Sequence, residues 1–189
     1  MTTRCLLLVL SVSLLLGGCG ARDPMPTVAY VDLDRIVGTW YSTHHIPYWL
    51  EDGKVASGDI YTLRPDGRID VRFFFRDGGL EQPEEAWNAI ARVIPNSGNA
   101  YWQVCFLWPI WADYKIVAKA DDYSWMAIGH PSRDYFWLLS RRTTLADSVW
   151  PELEPLLIQL GYDPSQIVPV PQPRPASDPA PADHMPISR

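Results

Sequence analysis

Four histidines are the side chains of this sequence that most readily bind a metal ion or transfer a proton near neutral pH. His44 and His45 are adjacent, and neighbouring side chains of a strand point to opposite faces, so these two cannot hold one ion together. His130 and His184 lie far from that pair, the latter close to the C-terminus. The histidines therefore predict no metal site, and no cofactor is expected.

Nucleophilic and acid–base chemistry has equally little support. The sequence has no Gly-x-Ser-x-Gly turn and no glycine-rich phosphate loop. Cys105 is the only cysteine of the expected folded domain, and alternation with Val104 and Phe106 directs its thiol outward. Asp59 is a possible inward carboxylate beside Tyr61, although solvation at a rim explains it more simply. We therefore expect a binding protein and not an enzyme.

The N-terminus has the features of a lipoprotein signal peptide. Arg4 supplies a positive charge, and residues 5–16 form an apolar stretch too short to span a bilayer as a helix. Leu16-Gly17-Gly18-Cys19 resembles the bacterial lipobox, in which the cysteine is acylated and becomes the new N-terminus; an ordinary secretory signal is the alternative. We predict a signal peptide over residues 1–18, lipidation of Cys19 and a lipidated linker over residues 19–30.

The residue after the cysteine bears on the destination of the protein. Gly20 stands where an inner-membrane retention signal usually has aspartate. The resemblance to bacterial lipoproteins therefore implies attachment to the outer membrane, facing the periplasm unless the protein is exported further. Several acyl chains at one cysteine would hold a protein stably, whereas a single chain would hold it only marginally.

Length and composition limit the remaining possibilities. The chain has 189 residues, a net charge of −6, 47% hydrophobic residues and only three lysines, so it can bury a core and is unsuited to binding nucleic acid. Residues 169–189 contain seven of the 18 prolines and predict an extended, disordered tail. Removal of both ends leaves a single domain over residues 31–168.

Within that domain, short stretches of β-forming residues alternate with turn signals such as Arg64-Pro65-Asp66-Gly67. The pattern predicts eight strands, over residues 39–46, 57–63, 69–75, 84–93, 100–107, 114–119, 124–129 and 134–140. Their spacing is typical of an antiparallel sandwich or a closed barrel.

One amphipathic helix follows the strands. Thr144, with Asp147 three residues later, predicts its N-terminal cap, and Gly161 predicts its end. Its apolar stripe contains Val149, Leu153, Leu156, Leu157 and Leu160.

Two motifs in this order resemble the lipocalin family. Gly38-Thr39-Trp40-Tyr41, preceded by residues 31–35, resembles the opening of a lipocalin, and residues 134–141 resemble the last strand of bacterial lipocalins. Asp121-Asp122-Tyr123 lies at the turn of the family's second motif, without its threonine. The resemblance covers about residues 31–168 and implies an all-β fold, an eight-stranded antiparallel up-and-down lipocalin barrel with one C-terminal amphipathic α-helix.

The resemblance also implies a structural motif at the closed end of the barrel. It consists of Gly38, Trp40 and the arginine that follows the last strand and packs on the tryptophan. We assign that arginine to Arg141, although Arg142 directly follows it.

Strand alternation from this motif predicts which side chains face the lumen. It places Ser42, His44 and Leu139 inside, and Phe136 and Leu138 outside. The predicted ligand-binding residues are Tyr61, Val71, Phe73, Phe75, Val104, Phe106, Tyr114, Ile116, Trp125, Ala127, Tyr135 and Trp137.

Such a lining suits an apolar or chain-like ligand, and each buried methylene would contribute about 0.8 kcal/mol. The resemblance implies binding of a fatty acid or lysophospholipid, for lipid storage or transport in envelope maintenance. A lipocalin-fold enzyme and a structural envelope lipoprotein with a filled barrel are the alternatives. Aromatic loops at residues 46–50 and 108–111 lie at one end, where they could contact lipid, guide a ligand, form a homodimer contact or close the barrel.

Overall fold

The computed structural model describes residues 24–173. The predicted signal peptide, Cys19, His184 and residues 174–189 lie outside this range. The strands are β1 (Gly38–His45), β2 (Lys54–Leu63), β3 (Ile69–Asp77), β4 (Glu84–Val93), β5 (Tyr101–Leu107), β6 (Ile110–Lys119), β7 (Trp125–Gly129), β8 (Phe136–Ser140) and β9 (Val168–Pro169). The helices are α1 (Leu33–Ile36) and α2 (Val149–Gln159), with a 3-10 turn at Pro164–Gln166.

The first eight strands form a closed antiparallel barrel. Each strand pairs with its neighbours in sequence, and β1 closes the ring by pairing with both β2 and β8. The predicted eight-stranded up-and-down barrel is therefore confirmed. The loops β1–β2, β3–β4, β5–β6 and β7–β8 surround one end, which we call the mouth, while α1 and the other loops cover the base.

The barrel wall separates two apolar clusters. The interior cluster includes Val31, Ile36 and Trp40 at the base and Ile116, Met126, Ile128 and Leu139 above them. The outer cluster packs α2 against the wall, and Phe136 and Leu138 lie in it as predicted. Strands β7 and β8 are thus apolar on both faces, because the lumen covers one face and the helix covers the other.

The amphipathic helix forms, but it begins later than predicted. Ser148 is its N-cap, so the assignment of the cap to Thr144 is wrong. Its end at Gly161 is confirmed: Gly161 has φ +86°, and the Tyr162 amide donates to the Leu157 carbonyl at 2.9 Å. Glycine stabilises this left-handed end because it has no Cβ to clash with the backbone.

The ordered domain extends beyond both predicted boundaries. Met25, within the predicted linker, is 3% exposed, and the Val28 amide donates to the Ile116 carbonyl at 2.9 Å. At the other end, β9 pairs with β1, and the Gln172 side chain donates to the carbonyls of Ser42 and Ser57. Residues 169–173 are therefore not part of a disordered tail, because the strand pairing and the Gln172 side-chain hydrogen bonds hold them against β1 and β2.

Two of the predicted strand phases are reversed, the first of them by a local irregularity in β1. The register shifts between Ser42 and His44, so His44 faces outward, where it stacks on Trp150 at 5.3 Å. The prediction that His44 faces the lumen is wrong, because a β-bulge inserts one extra residue and inverts the alternation after it. His45 takes the inward direction instead, opposite Trp137.

The second reversal affects β7. Trp125 and Ala127 pack in the outer cluster against α2, whereas Met126 and Ile128 lie in the interior cluster. The prediction that Trp125 and Ala127 bind a ligand in the lumen is therefore wrong. A strand that is apolar on both faces has no polar alternation from which its phase can be read.

Candidate ligand-binding cavity

The base of the barrel is closed by Trp40 and Arg141. The Arg141 guanidinium lies 3.8 Å from the centre of the Trp40 ring, and it donates to the carbonyls of Thr39 at 2.8 Å and Arg35 at 2.6 Å. The Trp40 indole in turn donates to the Ile36 carbonyl at 2.7 Å. Of the two candidate arginines, Arg141 is thus the one that stacks, and the arrangement seals the base.

Above this base the barrel contains a cavity of about 550 Å³ that opens at the mouth. Eight of the twelve predicted ligand-binding residues line it: Tyr61, Val71, Phe73, Val104, Phe106, Tyr114, Tyr135 and Trp137. Phe75 shares their phase but packs on Trp87 at 4.8 Å, and Ile116 lies in the interior cluster; neither borders the cavity. The barrel is therefore not completely filled by its own side chains.

The deep end of the cavity is polar. Asp59 pairs with Trp40 on β1 and with Phe73 on β3, so it lies at the level of the sealed base. The Tyr61 hydroxyl donates to Asp59 Oδ2 at 2.8 Å and lies 2.6 Å from the Tyr114 hydroxyl. We call Asp59, Tyr61 and Tyr114 the floor triad.

Burial changes the acidity of this triad. It raises the pKa of Asp59 to about 7, with a smaller opposing effect from the Tyr61 hydrogen bond and a further increase from the negative charge of Glu51. Burial also raises the pKa values of Tyr61 and Tyr114 well above their ordinary value. The phenols therefore stay protonated, and Asp59 is the member of the triad whose charge changes near neutral pH.

A second polar group lies on the cavity wall. Glu51, only 8% exposed, accepts hydrogen bonds from the Trp137 indole at 3.2 Å and from the Tyr48 hydroxyl at 3.2 Å. Its other contact is with His45 Nδ1 at 3.0 Å. Trp137 is thereby held with its ring parallel to Tyr135, with 6.3 Å between ring centres.

Sequence reasoning missed several residues of the cavity. Trp87 lines it from β4, and Trp102 stacks beneath it on Tyr114 at 5.6 Å. Alternation from Val104 could have found Trp102, since the two are separated by one residue on β5. Glu51 and Tyr48 come from the β1–β2 loop, where no periodicity predicts direction. The interpretation of Asp59 as a solvated rim residue is wrong, because Asp59 lines the cavity at the level of Trp40.

The mouth is surrounded by exposed apolar side chains. Trp49 is 82% exposed and Trp108 is 76% exposed, each at the tip of a loop that borders the cavity. Leu107 and Ile110, on either side of Trp108, are also mostly exposed. Both aromatic loops thus lie at the open end, as strand alternation predicted, and Trp49 and Trp108 do not bury their rings to close it.

Other candidates for chemistry remain separate from the cavity. Cys105 is a free thiol on β5, opposite Ile90 and next to inward Val104, and its phase directs it outward. Within residues 24–173 no group of three or more metal-binding side chains forms a cluster. Over the same residues no helix is long and apolar enough to cross a membrane.

A closed eight-stranded antiparallel barrel with a sealed base, an open apolar cavity and one helix on its wall defines the class of lipocalin-type binding proteins. The sequence matches the Lipocalin-like domain family over residues 31–172. The chain therefore belongs to the lipocalin family.

Named relatives agree with this assignment. The chain is 30% identical over 168 residues to "Outer membrane lipoprotein Blc" of Escherichia coli K12, covering 86% of this chain and 93% of that protein. It is also 30% identical over 172 residues to "Temperature-induced lipocalin-1" of Arabidopsis thaliana, covering 86% and 91%. The resemblance of the sequence motifs to bacterial lipocalins is thus confirmed.

Solved structures agree on the fold. The cockroach allergen Per a 4 superposes with a TM-score of 0.62 at 19% identity, covering 78% of this chain and 92% of that one. Insecticyanin from the tobacco hornworm Manduca sexta has a TM-score of 0.62 at 16% identity, covering 78% and 84%. At these identities the likeness concerns the fold alone. Proteins of this family generally bind small hydrophobic molecules.

Proposed function

We propose that this lipocalin is an outer-membrane lipoprotein that binds fatty acids, lysophospholipids or similar amphiphiles for lipid storage or transport in envelope maintenance. The observation that carries the proposal is the open, largely aromatic cavity of about 550 Å³ above the sealed base. Burial of ten methylenes would contribute about 8 kcal/mol, which corresponds to about micromolar affinity before the costs of ordering the ligand.

The proposal describes reversible binding and not turnover. The cavity has buried carboxyl groups, yet among residues 24–173 neither Glu51 nor Asp59 forms a hydrogen bond with a serine, threonine or cysteine. The hydrogen bonds of Glu51 go to Trp137 and Tyr48, which positions those rings. Cys105, the thiol of the described domain, lies on the other side of the wall.

Membrane attachment is supported by the path of the N-terminal segment. Met25 lies beside Gly129, the mouth end of β7, and its carbonyl accepts from Lys115 Nζ at 3.0 Å. From there the chain descends the wall, and the Val31 amide donates to the Gly98 carbonyl near the base. The predicted lipidation site therefore precedes a segment that starts partway up the wall, on the side of the mouth.

The chain between Cys19 and Pro24 is long enough to reach from the start of that segment to the mouth. A fully extended chain spans about 17 Å over the five Cα–Cα steps from Cys19 to Pro24. The five Cα–Cα steps of β6 from Lys115 to Ile110 rise by about the same distance. An acylated Cys19 can therefore reach the plane of Trp49, Trp108 and Ile110. Its acyl chains, inserted in the membrane, would then hold the mouth against the lipid surface. Tryptophan at a membrane surface places its apolar ring among lipids and its N–H in water.

Two measurements test the proposal. Lipid extracted from the purified full-length protein and identified by mass spectrometry should contain a single-chain amphiphile at about one molecule per barrel. Separately, the Trp49→Ser/Trp108→Ser double variant of the unacylated protein should bind phosphatidylethanolamine–phosphatidylglycerol vesicles several-fold less than the unacylated parent. Tyr30→Ser, at an exposed position near the base, is the matched control. A barrel that retains no lipid and binds no single-chain amphiphile would contradict the binding function.

A further inference from the structure

The floor triad gives the cavity an unusual end. In an eight-stranded barrel that held only an acyl tail, apolar side chains would be expected where the tail ends. Here the side chains at the level of the sealed base present a carboxyl group and two hydroxyl groups. Covering them with a methyl terminus would remove their hydration without supplying a hydrogen bond, which costs free energy.

The charges around the cavity have one sign. Its lining includes two carboxyl groups that face it, those of Glu51 and Asp59, beside His130, and no lysine or arginine. Asp59 takes part in none of the ion pairs among residues 24–173. Its hydrogen-bond donor is the neutral hydroxyl of Tyr61. The floor carboxyl thus faces the cavity without a counter-cation.

Lys54 and Arg141 are occupied elsewhere. Lys54, also on β2, lies over the rings of Phe75 and Trp87 and 3.9 Å from Asp77, at the mouth end of the strand. Arg141 lies beneath Trp40 and donates to backbone carbonyls there. Neither borders the cavity, so a positive charge at the floor has to come from a ligand.

Aromatic rings lie above the carboxyl group. Tyr114 and Trp137 stack with 6.3 Å between ring centres at an interplanar angle of 23°, and Tyr135 continues the stack on Trp137. The faces of such rings carry negative potential and attract organic cations. Together, a carboxyl group without a counter-cation and a wall of aromatic rings have the chemistry that recognises an ammonium group.

We propose that the floor triad is a subsite for the ammonium group of a single-chain cationic amphiphile, which enters with that group first and leaves its alkyl chain along the aromatic wall. This rests on the proposed function, since it requires that the cavity accept an alkyl chain. The ammonium group donates to Asp59, and the Tyr114 and Tyr61 hydroxyls donate along the triad to the same carboxylate. A fatty acid that entered with its carboxylate first would be repelled by Asp59. A fatty acid that entered with its tail first would place its methyl end against the Asp59 carboxyl group.

Three probes of equal chain length test the proposal: dodecylamine, dodecanol and dodecanoate, titrated into the unacylated protein at pH 8 below their micelle-forming concentrations and followed by calorimetry. We expect the amine to bind at least about tenfold more tightly than dodecanoate, equivalent to about 1.4 kcal/mol, with dodecanol between them. Equal binding of amine and carboxylate by the wild-type protein would overturn the subsite, and this comparison requires no variant.

Variants then show which residue is responsible for the preference for the amine over the carboxylate. Asp59→Asn should lower amine affinity about tenfold or more and leave dodecanol affinity within about threefold, while Asp70→Asn, on the outer face of neighbouring β3, should change neither. If Glu51→Gln and not Asp59→Asn removes the preference, the ammonium group lies at the wall and the floor assignment is wrong. If amine, alcohol and carboxylate all bind without selectivity, the subsite fails while the binding function stands. If none of them binds, both fail.

Discussion

The Arg141 guanidinium lies over the Trp40 indole, 3.8 Å from the ring centre, and its hydrogen bond to the Thr39 carbonyl connects the end of β8 to the start of β1. The two residues are about a hundred positions apart in the chain. Their contact closes both the ring of strands and the base of the cavity, and so it connects the stability of the barrel with its capacity to hold a ligand.

Removal of the Trp40 ring should therefore be costly. Trp40 is completely buried, and Trp40→Ala should lower the free energy of unfolding by about 3–5 kcal/mol, as large aromatic truncations in cores do. Trp49→Ala is the matched control, because that ring is 82% exposed and its loss should cost less than about 0.5 kcal/mol. Urea denaturation measures both, and a wild-type unfolding midpoint for Trp40→Ala would contradict its role at the base.

Stability should fall as pH rises through the range in which Asp59 ionises. Its pKa is raised from 3.8 to about 7 in the folded barrel, so between these values the folded state binds more protons than the unfolded state. The stabilising contribution of the protonated Asp59 carboxyl group is fully present below about pH 4 and is lost progressively up to about pH 7. Glu51 adds repulsion, whereas Tyr61 and Tyr114 remain neutral hydroxyls throughout.

Thermal unfolding between pH 4.5 and pH 8 measures this effect. The difference between Asp59→Asn and the wild-type protein should grow in favour of the variant as pH rises, because the amide stays neutral. Asp70→Asn, with an exposed carboxyl group, should follow the wild-type pH profile. A constant difference between Asp59→Asn and wild type across this range would show that Asp59 does not titrate within it.

Neighbouring residues of β3 provide a test of the lumen. Phe73 lines the cavity, whereas Arg72 points outward and pairs with Glu84 at 2.9 Å. Phe73→Asp should weaken dodecanol binding at least about tenfold, because the new charge requires water where the alkyl chain lies. Arg72→Asp should leave binding within about twofold. Titration by tryptophan fluorescence compares the two, and a larger defect from the outward substitution would invert the strand phase.

Cys105 should be dispensable for binding. Its thiol faces away from the lumen, so Cys105→Ser should leave dodecanol affinity within about twofold. The same variant tests for a homodimer through this face, since sizing chromatography under oxidising conditions would detect loss of a disulfide-linked species. A binding defect above about tenfold would place the thiol in the lumen and favour an enzymatic role.

The anchor can be tested in cells of a Gram-negative host. Cys19→Ser removes the sulfur that the lipobox reaction acylates, so the variant should fractionate as soluble periplasmic material while the wild-type chain remains with the outer membrane. Cys105→Ser is the control, because it removes a cysteine without touching the lipobox. A Cys19→Ser protein that stays in the outer membrane would contradict lipidation at this residue.

The sequence by itself determined the strands, their order and the helix that follows, while the closed barrel was implied by the resemblance of its motifs to lipocalins. Turn signals at Arg64-Pro65-Asp66-Gly67 and similar positions separate the strands, and Gly161 ends the helix. Such features are local, because a turn or a helix end depends on the backbone preferences of a few residues. Trp40 and Arg141 were identifiable as well, since each belongs to a motif of contiguous residues.

Only the tertiary structure decided which side chains share the cavity. A single bulge beyond Ser42 turns His44 outward and His45 inward, and α2 covers the face of β7 that contains Trp125 and Ala127. Glu51 reaches the lumen from a loop, and Asp59 becomes a floor residue through the closure of β1 on β2. These placements depend on elements that are distant in sequence. Burial among those elements raises the pKa of Asp59, and no local sequence pattern encodes that burial.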